Sequence, residues 1–237
     1  HFDPDVAIAR GLRMAEEGAD IIDIGGESTR PGAARVDPDD QLRRVLPVLR
    51  ELYRQLPAEC RVSIDTTMSG VAEAALAEGA GIINDVSAGR DDPAMFDLAS
   101  RSQADLILMH MQGSPESMQA APSYQDVVRE VHDFLLERAR AAEAAGIARE
   151  RIAIDPGIGF GKTKLHNLQL LAGLETLVNT GYAVLLGASR KRFMGSICNV
   201  SEFQELVGAT CATTTLGVLA GVRLFRVHDI RDNRQAL

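Results

Sequence analysis

Seven times along the chain a short apolar run stops on an acid, an amide or a base. These runs are Ile21-Ile22-Asp23, Val62-Ser63-Ile64-Asp65, Ile82-Ile83-Asn84-Asp85, Leu106-Ile107-Leu108-Met109-His110, Ile152-Ala153-Ile154-Asp155, Val184-Leu185-Leu186-Gly187-Ala188-Ser189-Arg190-Lys191 and Leu224-Phe225-Arg226-Val227-His228. With little polar alternation they read as parallel strands covered on both faces. Helical segments fall between them, at 4–17, 38–56, 69–78, 93–101, 124–145, 167–180 and 205–220. Asp3 and Asp37 precede Pro4 and Pro38 as N-caps, and Gly18, Gly79, Gly146, Gly181 and Gly221 stand where helices should stop.

Repeated strand-then-helix units build either a doubly wound sheet or a closed barrel, and the count favours the barrel. The first strand follows a helix, so giving every helix its own preceding strand requires one more strand upstream. The tail at 231–237 reads as the start of a last helix cut short. The expectation is an α/β TIM (β/α)8 barrel filling 1–237 as a single domain, presented without its first strand and the end of its last helix. A length of 237 residues suits this, since such barrels run to roughly 200–250 residues as one domain. In that fold all strand ends open on one mouth, and charged tips there read as an active site.

Lys and Arg number 25 against 33 Asp and Glu, a net charge of −8 that argues against a nucleic-acid or anionic-membrane surface. Positive charge must therefore be concentrated locally if an anion is bound. Cys60, Cys198 and Cys211 are scattered, without C-x-x-C or metal spacing, and read as thiols in a reducing compartment. No apolar stretch approaches the ~18 residues that span a bilayer, and no secretory segment opens the chain. A cytoplasmic location is the expectation, with His1 rather than Met as the first residue.

The run Asp155-Pro156-Gly157-Ile158-Gly159-Phe160-Gly161-Lys162-Thr163 resembles a phosphate loop but fails both glycine registers. Pro156 stands where a Walker A motif needs glycine, and Lys162 where G-x-G-x-x-G needs its last one. It is instead a flexible loop after a strand-end acid, against which a flat ligand can lie with Phe160 stacked on it. Asp65, Asn84 and Asp155 end three separate strands and would converge in a barrel. Taken singly, capping the next helix or satisfying a loop amide is the blander reading of each; together they match a heterocycle whose edge alternates N–H donors with a carbonyl, to which Lys191 adds a donor.

Ser189-Arg190-Lys191-Arg192 and Arg226-Val227-His228 gather positive charge at neighbouring strand ends, where barrels of this kind commonly hold phosphate. Arg226 and His228, at i and i+2, face one side and suit a diphosphate. The loop Gly25-Gly26-Glu27-Ser28-Thr29-Arg30-Pro31-Gly32 can fold over a ligand, with Thr29 and Arg30 as donors. His110 reads as a buried, hydrogen-bonded histidine and Met109 as packing. No nucleophile elbow surrounds Ser189, and no clustered His/Cys metal site is present.

Four of these motifs, in this order, are those of a known family: Asp23-Ile24-Gly25-Gly26-Glu27-Ser28-Thr29-Arg30-Pro31-Gly32, the 155–162 run, Ser189-Arg190-Lys191 and Arg226-Val227-His228-Asp229. Across essentially the whole chain the sequence resembles the dihydropteroate synthase family. The resemblance implies a TIM barrel that condenses 6-hydroxymethyl-7,8-dihydropterin diphosphate with 4-aminobenzoate, giving 7,8-dihydropteroate and diphosphate in folate biosynthesis. It implies Asp65, Asn84, Asp155 and Lys191 on the pterin, with Met109, Phe160 and Gly187 shaping the slot. It implies Arg226 and His228, helped by Thr29 and Arg30, on the diphosphate. Thr29, Pro31, Ser189 and Lys191 would line the aminobenzoate site, where sulfonamides bind in this family. Asp155, Lys191, Arg226 and His228 would carry the catalysis. The resemblance further implies Mg²⁺ as cofactor, small-molecule partners only and a homodimer. One departure stands out: the family's metal-contacting asparagine belongs to a loop that would precede His1, so no metal ligand is expected within this sequence. Two other readings share the barrel, namely a pterin-binding methyltransferase acting on a corrinoid, which needs no diphosphate clamp, and a pterin-binding protein without catalysis.

Overall fold

A computed structural model describes residues 3–30 and 32–237. It contains β1 (Ile21–Gly25), β2 (Arg61–Asp65), β3 (Ile82–Asp85), β4 (Asp105–Met109), β5 (Ile152–Asp155), β6 (Ala183–Leu186) and β7 (Leu224–Phe225). The helices are α1 (Pro4–Glu16), α2 (Pro38–Gln55), α3 (Ser69–Ala77), α4 (Ala94–Ser102), α5 (Val127–Ala144), α6 (Lys164–Ala172), α7 (Leu174–Val178), α8 (Arg192–Cys198), α9 (Val207–Ala220) and α10 (Ile230–Ala236). The seven strands form one sheet in chain order, every neighbouring pair parallel. The sheet curls so far that Arg226, just past β7, forms ion pairs with Asp23 in the middle of β1 and Asp65 at the end of β2. This is the α/β barrel architecture expected from the strand count.

Strand residues alternate between two apolar environments, which is why the runs look continuous in sequence. Val62, Ile64, Ile83, Leu106, Leu108, Ile152, Ile154, Val184 and Leu186 point outward into the core shared with the helices. Ile82, Ile107, Ala153 and Leu185, with Ile21, Ala183 and Leu224 packed against them, make a second cluster along the inside of the curl. Burying a side chain of this size contributes about 1.5–3 kcal/mol, so both faces of the sheet are held by the hydrophobic effect.

The expected caps are in place. Asp3 accepts from the Asp5 and Val6 amides, and Asp37 from that of Asp39. The segment expected as one helix at 167–180 is two, because Gly173 sits at 2.9 Å, on any added Cβ, from Val128 and ends α6 against α5. Helix α5 starts at Val127 rather than Tyr124, since the Asp126 side chain accepts from the Arg129 amide and fixes the first turn there. Helix α8 was not anticipated; at 7 residues it is too short to show a period.

Candidate functional site

The period of two that builds the inner cluster also builds the mouth. Two residues beyond Ile21, Ser63, Ile82, Ile107, Ala153, Leu185 and Leu224 stand Asp23, Asp65, Asn84, Met109, Asp155, Gly187 and Arg226. Each therefore projects to the inside of the curl, one step above the apolar layer.

Arg226 is the hub. Its Nε lies 2.7 Å from Asp23 Oδ2 and its Nη2 donates to Asp65 Oδ2 at 2.7 Å. Asn84 Nδ2 donates to the same Asp23 oxygen at 3.2 Å. Two carboxylates sharing one guanidinium hold it firmly, yet the Arg226 side chain stays 43% exposed and keeps donors for a further anion. The charge of Asp23, outweighing burial, holds the guanidinium above its usual range. Burial pushes the Asp65 carboxyl up to about 7, with Arg226 opposing and Asp23 and Asp85 adding to the shift.

Asp155, at the tip of β5, is buried and accepts from the Gly157 amide at 2.7 Å. Burial raises its pKa, while that hydrogen bond and the charges of Lys191, Arg226 and Lys162 pull it back. Gly187 faces it from the next strand; a Cβ there would stand 3.7 Å from Asp155 Oδ2 and 3.9 Å from Arg226 Cβ, so main chain borders open space between the acid and the cation. Lys191 carries its Nζ 4.1 Å from the centre of the Phe160 ring, with its stem along Gly159. Burial, opposed by Asp155 and reinforced by Arg226 and Arg30, pushes the Lys191 ammonium down to about 8. Phe160 and Met109 belong to one apolar cluster with Val86, Met111 and Met118. An acid, an amide, an amine and an apolar wall thus face the mouth of the curl.

On the other side, His228 Nδ1 lies 3.0 Å from Ser189 Oγ, and the His228 amide donates to the same oxygen at 3.2 Å. Partial burial, then Arg190 and Arg10, push the His228 imidazole down to about 4, so it is neutral at pH 7. Ser189 is itself buried, its hydroxyl occupied by His228. Arg190 pairs bidentately with Asp229, and its Nε to Asp229 Oδ2 distance is 2.9 Å. The loops after β6 and β7 are therefore stitched together at two points. The first loop is tied to the loop after β4, where the Gly32 amide donates to Pro115 O at 3.0 Å, and the charge of Arg30 is felt by Lys191. Thr29 is half-buried on that loop. The expectation for Pro31 lies outside the described residues.

Val86, Met111 and Met118 had no role assigned from sequence, and for Asp23 an indirect part in the metal region was expected rather than a hold on Arg226. Asp23 carried a signal as the polar break in its apolar run, although β1 continues past it to Gly25. No group of three or more His, Cys, Asp or Glu side chains among the described residues is gathered for a metal. Asp23 Oδ1, buried and without a partner, is a single acceptor, which does not make a protein cage for Mg²⁺.

Residues 1–228 match the family described as pterin binding enzyme. The dihydropteroate synthase of Mycobacterium leprae (strain TN) is 47% identical over 243 residues, spanning 100% of this chain and 84% of the relative. The Xanthomonas albilineans dihydropteroate synthase solved with 4-aminobenzoic acid superposes with a TM-score of 0.92 at 46% identity, over 98% of this chain and 82% of that one. The structure from the same organism with 7,8-dihydropteroate gives 0.89 at 42% identity, over 100% and 83%. The chain belongs to the pterin-binding enzymes and, among them, to the dihydropteroate synthase family.

Proposed function

We propose that this chain, acting as one domain over residues 1–237, condenses 6-hydroxymethyl-7,8-dihydropterin diphosphate with 4-aminobenzoate to give 7,8-dihydropteroate and diphosphate. The observation that carries the reading is the two-part mouth. A slot bounded by Asn84, Met109, Asp155, Phe160, Gly187 and Lys191 adjoins a cationic corner where Arg226 is fixed by Asp23 and Asp65 yet 43% exposed.

In this reading the buried Asp155 carboxylate accepts from the guanidine-like edge of the pterin, and Lys191 donates to its ring oxygen. Arg226 and His228, with Thr29 and Arg30 from the first loop, take the diphosphate. Thr29, Pro31, Ser189 and Lys191 border the aminobenzoate, Ser189 through its hold on His228. The methylene C–O bond breaks with its electron pair leaving on the diphosphate. Donors fixed beforehand around that developing charge lower the barrier most. The ring then carries cationic character, which the facing Asp155 carboxylate stabilises. The lone pair of the neutral aromatic amine forms the new C–N bond, and its proton leaves to solvent or diphosphate, so no strong general base is needed. Exchange of the bridging oxygen in the absence of amine attack supports this stepwise order; strictly concerted kinetics contradicts it. Dependence on Mg²⁺ accompanies the proposal as a property of the diphosphate substrate, and no step is assigned to the ion.

The proposal includes a cytoplasmic setting, in keeping with three free thiols and with no helix among the described residues long and apolar enough to cross a membrane. It also includes a homodimer through α9, where Leu216 is 53% and Leu219 80% exposed on an apolar helix. The direct test mixes the purified chain with the pterin diphosphate and 4-aminobenzoate. Dihydropteroate and diphosphate released in equal amounts support the reading, and their absence under saturating substrates overturns it.

A further inference from the structure

Lys162 closes the glycine loop and takes no part in the chemistry above, yet it is 3% exposed. All three donors of its ammonium have partners: His110 Nδ1 at 3.0 Å, His110 O at 3.3 Å and Phe160 O at 2.9 Å. No carboxylate among the described residues forms an ion pair with it. Burying a lysine without a paired acid costs stability that a well-packed apolar side chain would not, so its presence points to a use beyond packing.

That use follows from what the lysine holds. Three of the five residues in 157–161 are glycines at positive φ, between +62° and +84°, which leaves the loop little stiffness of its own. Other ties reach its flanks, where the Gly159 amide donates to Asn167 Oδ1 and Tyr124 Oη donates to Gly161 O. Phe160 itself donates to Gly157 O within the loop, and Lys162, anchored on the tip of β4, is the side chain that hydrogen-bonds its carbonyl. The Phe160 ring in turn faces the Lys191 ammonium at 4.1 Å. Asp155 and Lys191 are the charged groups that Lys162 senses, and its own charge helps to keep Asp155 ionised. His110 offers a neutral acceptor: burial, then the charges of Lys162 and Arg90, push its imidazole down to about 2. Its ring is itself wedged edge-on against Phe134, 5.0 Å between centres.

We infer that Lys162 is a positioning residue for the pterin slot: anchored on His110, it fixes Phe160 and the glycine loop so that ring, Lys191 ammonium and Asp155 carboxylate meet the pterin together. The inference rests on the pterin reading of the slot.

Three variants test it beside the wild type: Lys162→Met, His110→Phe and His110→Asn, the last keeping a polar atom opposite Nζ. The readouts are equilibrium binding of 6-hydroxymethyl-7,8-dihydropterin diphosphate, both KM values, kcat and the melting temperature. Lys162→Met and His110→Phe should weaken pterin binding and raise its KM by about 10-fold or more, since small displacements of a positioned group are costly. The KM for 4-aminobenzoate should stay within about 2-fold, so that the loss is confined to the pterin even where the three acceptors left unpartnered in Lys162→Met lower the melting temperature. His110→Asn should recover most of the affinity. A Lys162→Met protein that melts like wild type and binds pterin as well overturns the inference. So does a uniform loss in every constant that tracks a lowered melting temperature, which is what a merely structural lysine would give. If Lys162→Met does not fold, equal pterin affinities for His110→Phe and His110→Asn overturn it equally well. Wild-type protein that fails to bind the pterin overturns the slot assignment and this inference together, whereas a failure confined to the variants removes the inference alone.

Discussion

Arg226 Nε, at the tip of the last strand, lies 2.7 Å from Asp23 Oδ2 in the middle of the first. That contact aims the guanidinium across the mouth, and Asp65 fixes its second nitrogen. Replacing Asp23 by Asn should therefore damage the clamp more than the fold. The expected result is a fall in kcat/KM for the pterin diphosphate of about 10- to 100-fold. Because the pair is part exposed, the melting temperature should drop by no more than a few degrees. Steady-state kinetics beside a thermal melt separate the two effects.

Lys191 sets an alkaline limit. Its ammonium is pushed down to about 8, chiefly by burial, and the charged form is the one that donates to the ring oxygen. As pH rises through that value the lysine loses its proton. Log kcat/KM for the pterin substrate should then fall by about one unit per pH unit. In Lys191→Arg the group stays charged, so the alkaline limb should disappear even though the activity on the plateau is lower. A pH–rate profile of both proteins checks this, and a limb unchanged in the variant assigns it to another group.

Two glycines of the mouth should respond oppositely to alanine. At Gly187 the nearest protein atom to an added Cβ is 3.7 Å away, so Gly187→Ala should fold as wild type while intruding on the slot and raising pterin KM about 10-fold. Gly157 has φ +65° and its added Cβ would run into the His110 carbonyl, so Gly157→Ala should lose about 3 kcal/mol or more of stability. Denaturant titration of both variants gives the comparison.

Leu219 tests the assembly. At 80% exposure it carries little of the monomer's own stability, so Leu219→Glu should leave the melting temperature of the monomer almost untouched while placing charge on the apolar face of α9. Sedimentation velocity should show a dimer for wild type and a monomer for the variant.

Much of this mouth was legible in the sequence because one physical rule wrote it. Buried parallel strands leave long apolar runs, and a polar residue two positions past an inward Ile82, Ala153 or Leu224 must face the same interior. Asn84, Asp155 and Arg226 were found because each stands at the polar end of such a run. Pairings between distant strands carry no local signal, so the hold of Asp23 on Arg226 and of Ser189 on His228 emerged only from the fold. Lys162 was visible as the end of a failed phosphate-loop pattern. Its burial against His110 depends on how the loops after β4 and β5 meet, which periodicity does not encode. The break at Gly173 was lost for a related reason, since the crowding by Val128 comes from another helix.

The most direct test is a crystal structure with 6-hydroxymethyl-7,8-dihydropterin diphosphate bound. The account predicts the guanidine-like edge of the pterin within hydrogen-bonding distance of Asp155, its ring oxygen toward Lys191, and its phosphates against the exposed side of Arg226 near His228. A pterin lying away from Asp155, or phosphates that leave Arg226 untouched, would contradict it.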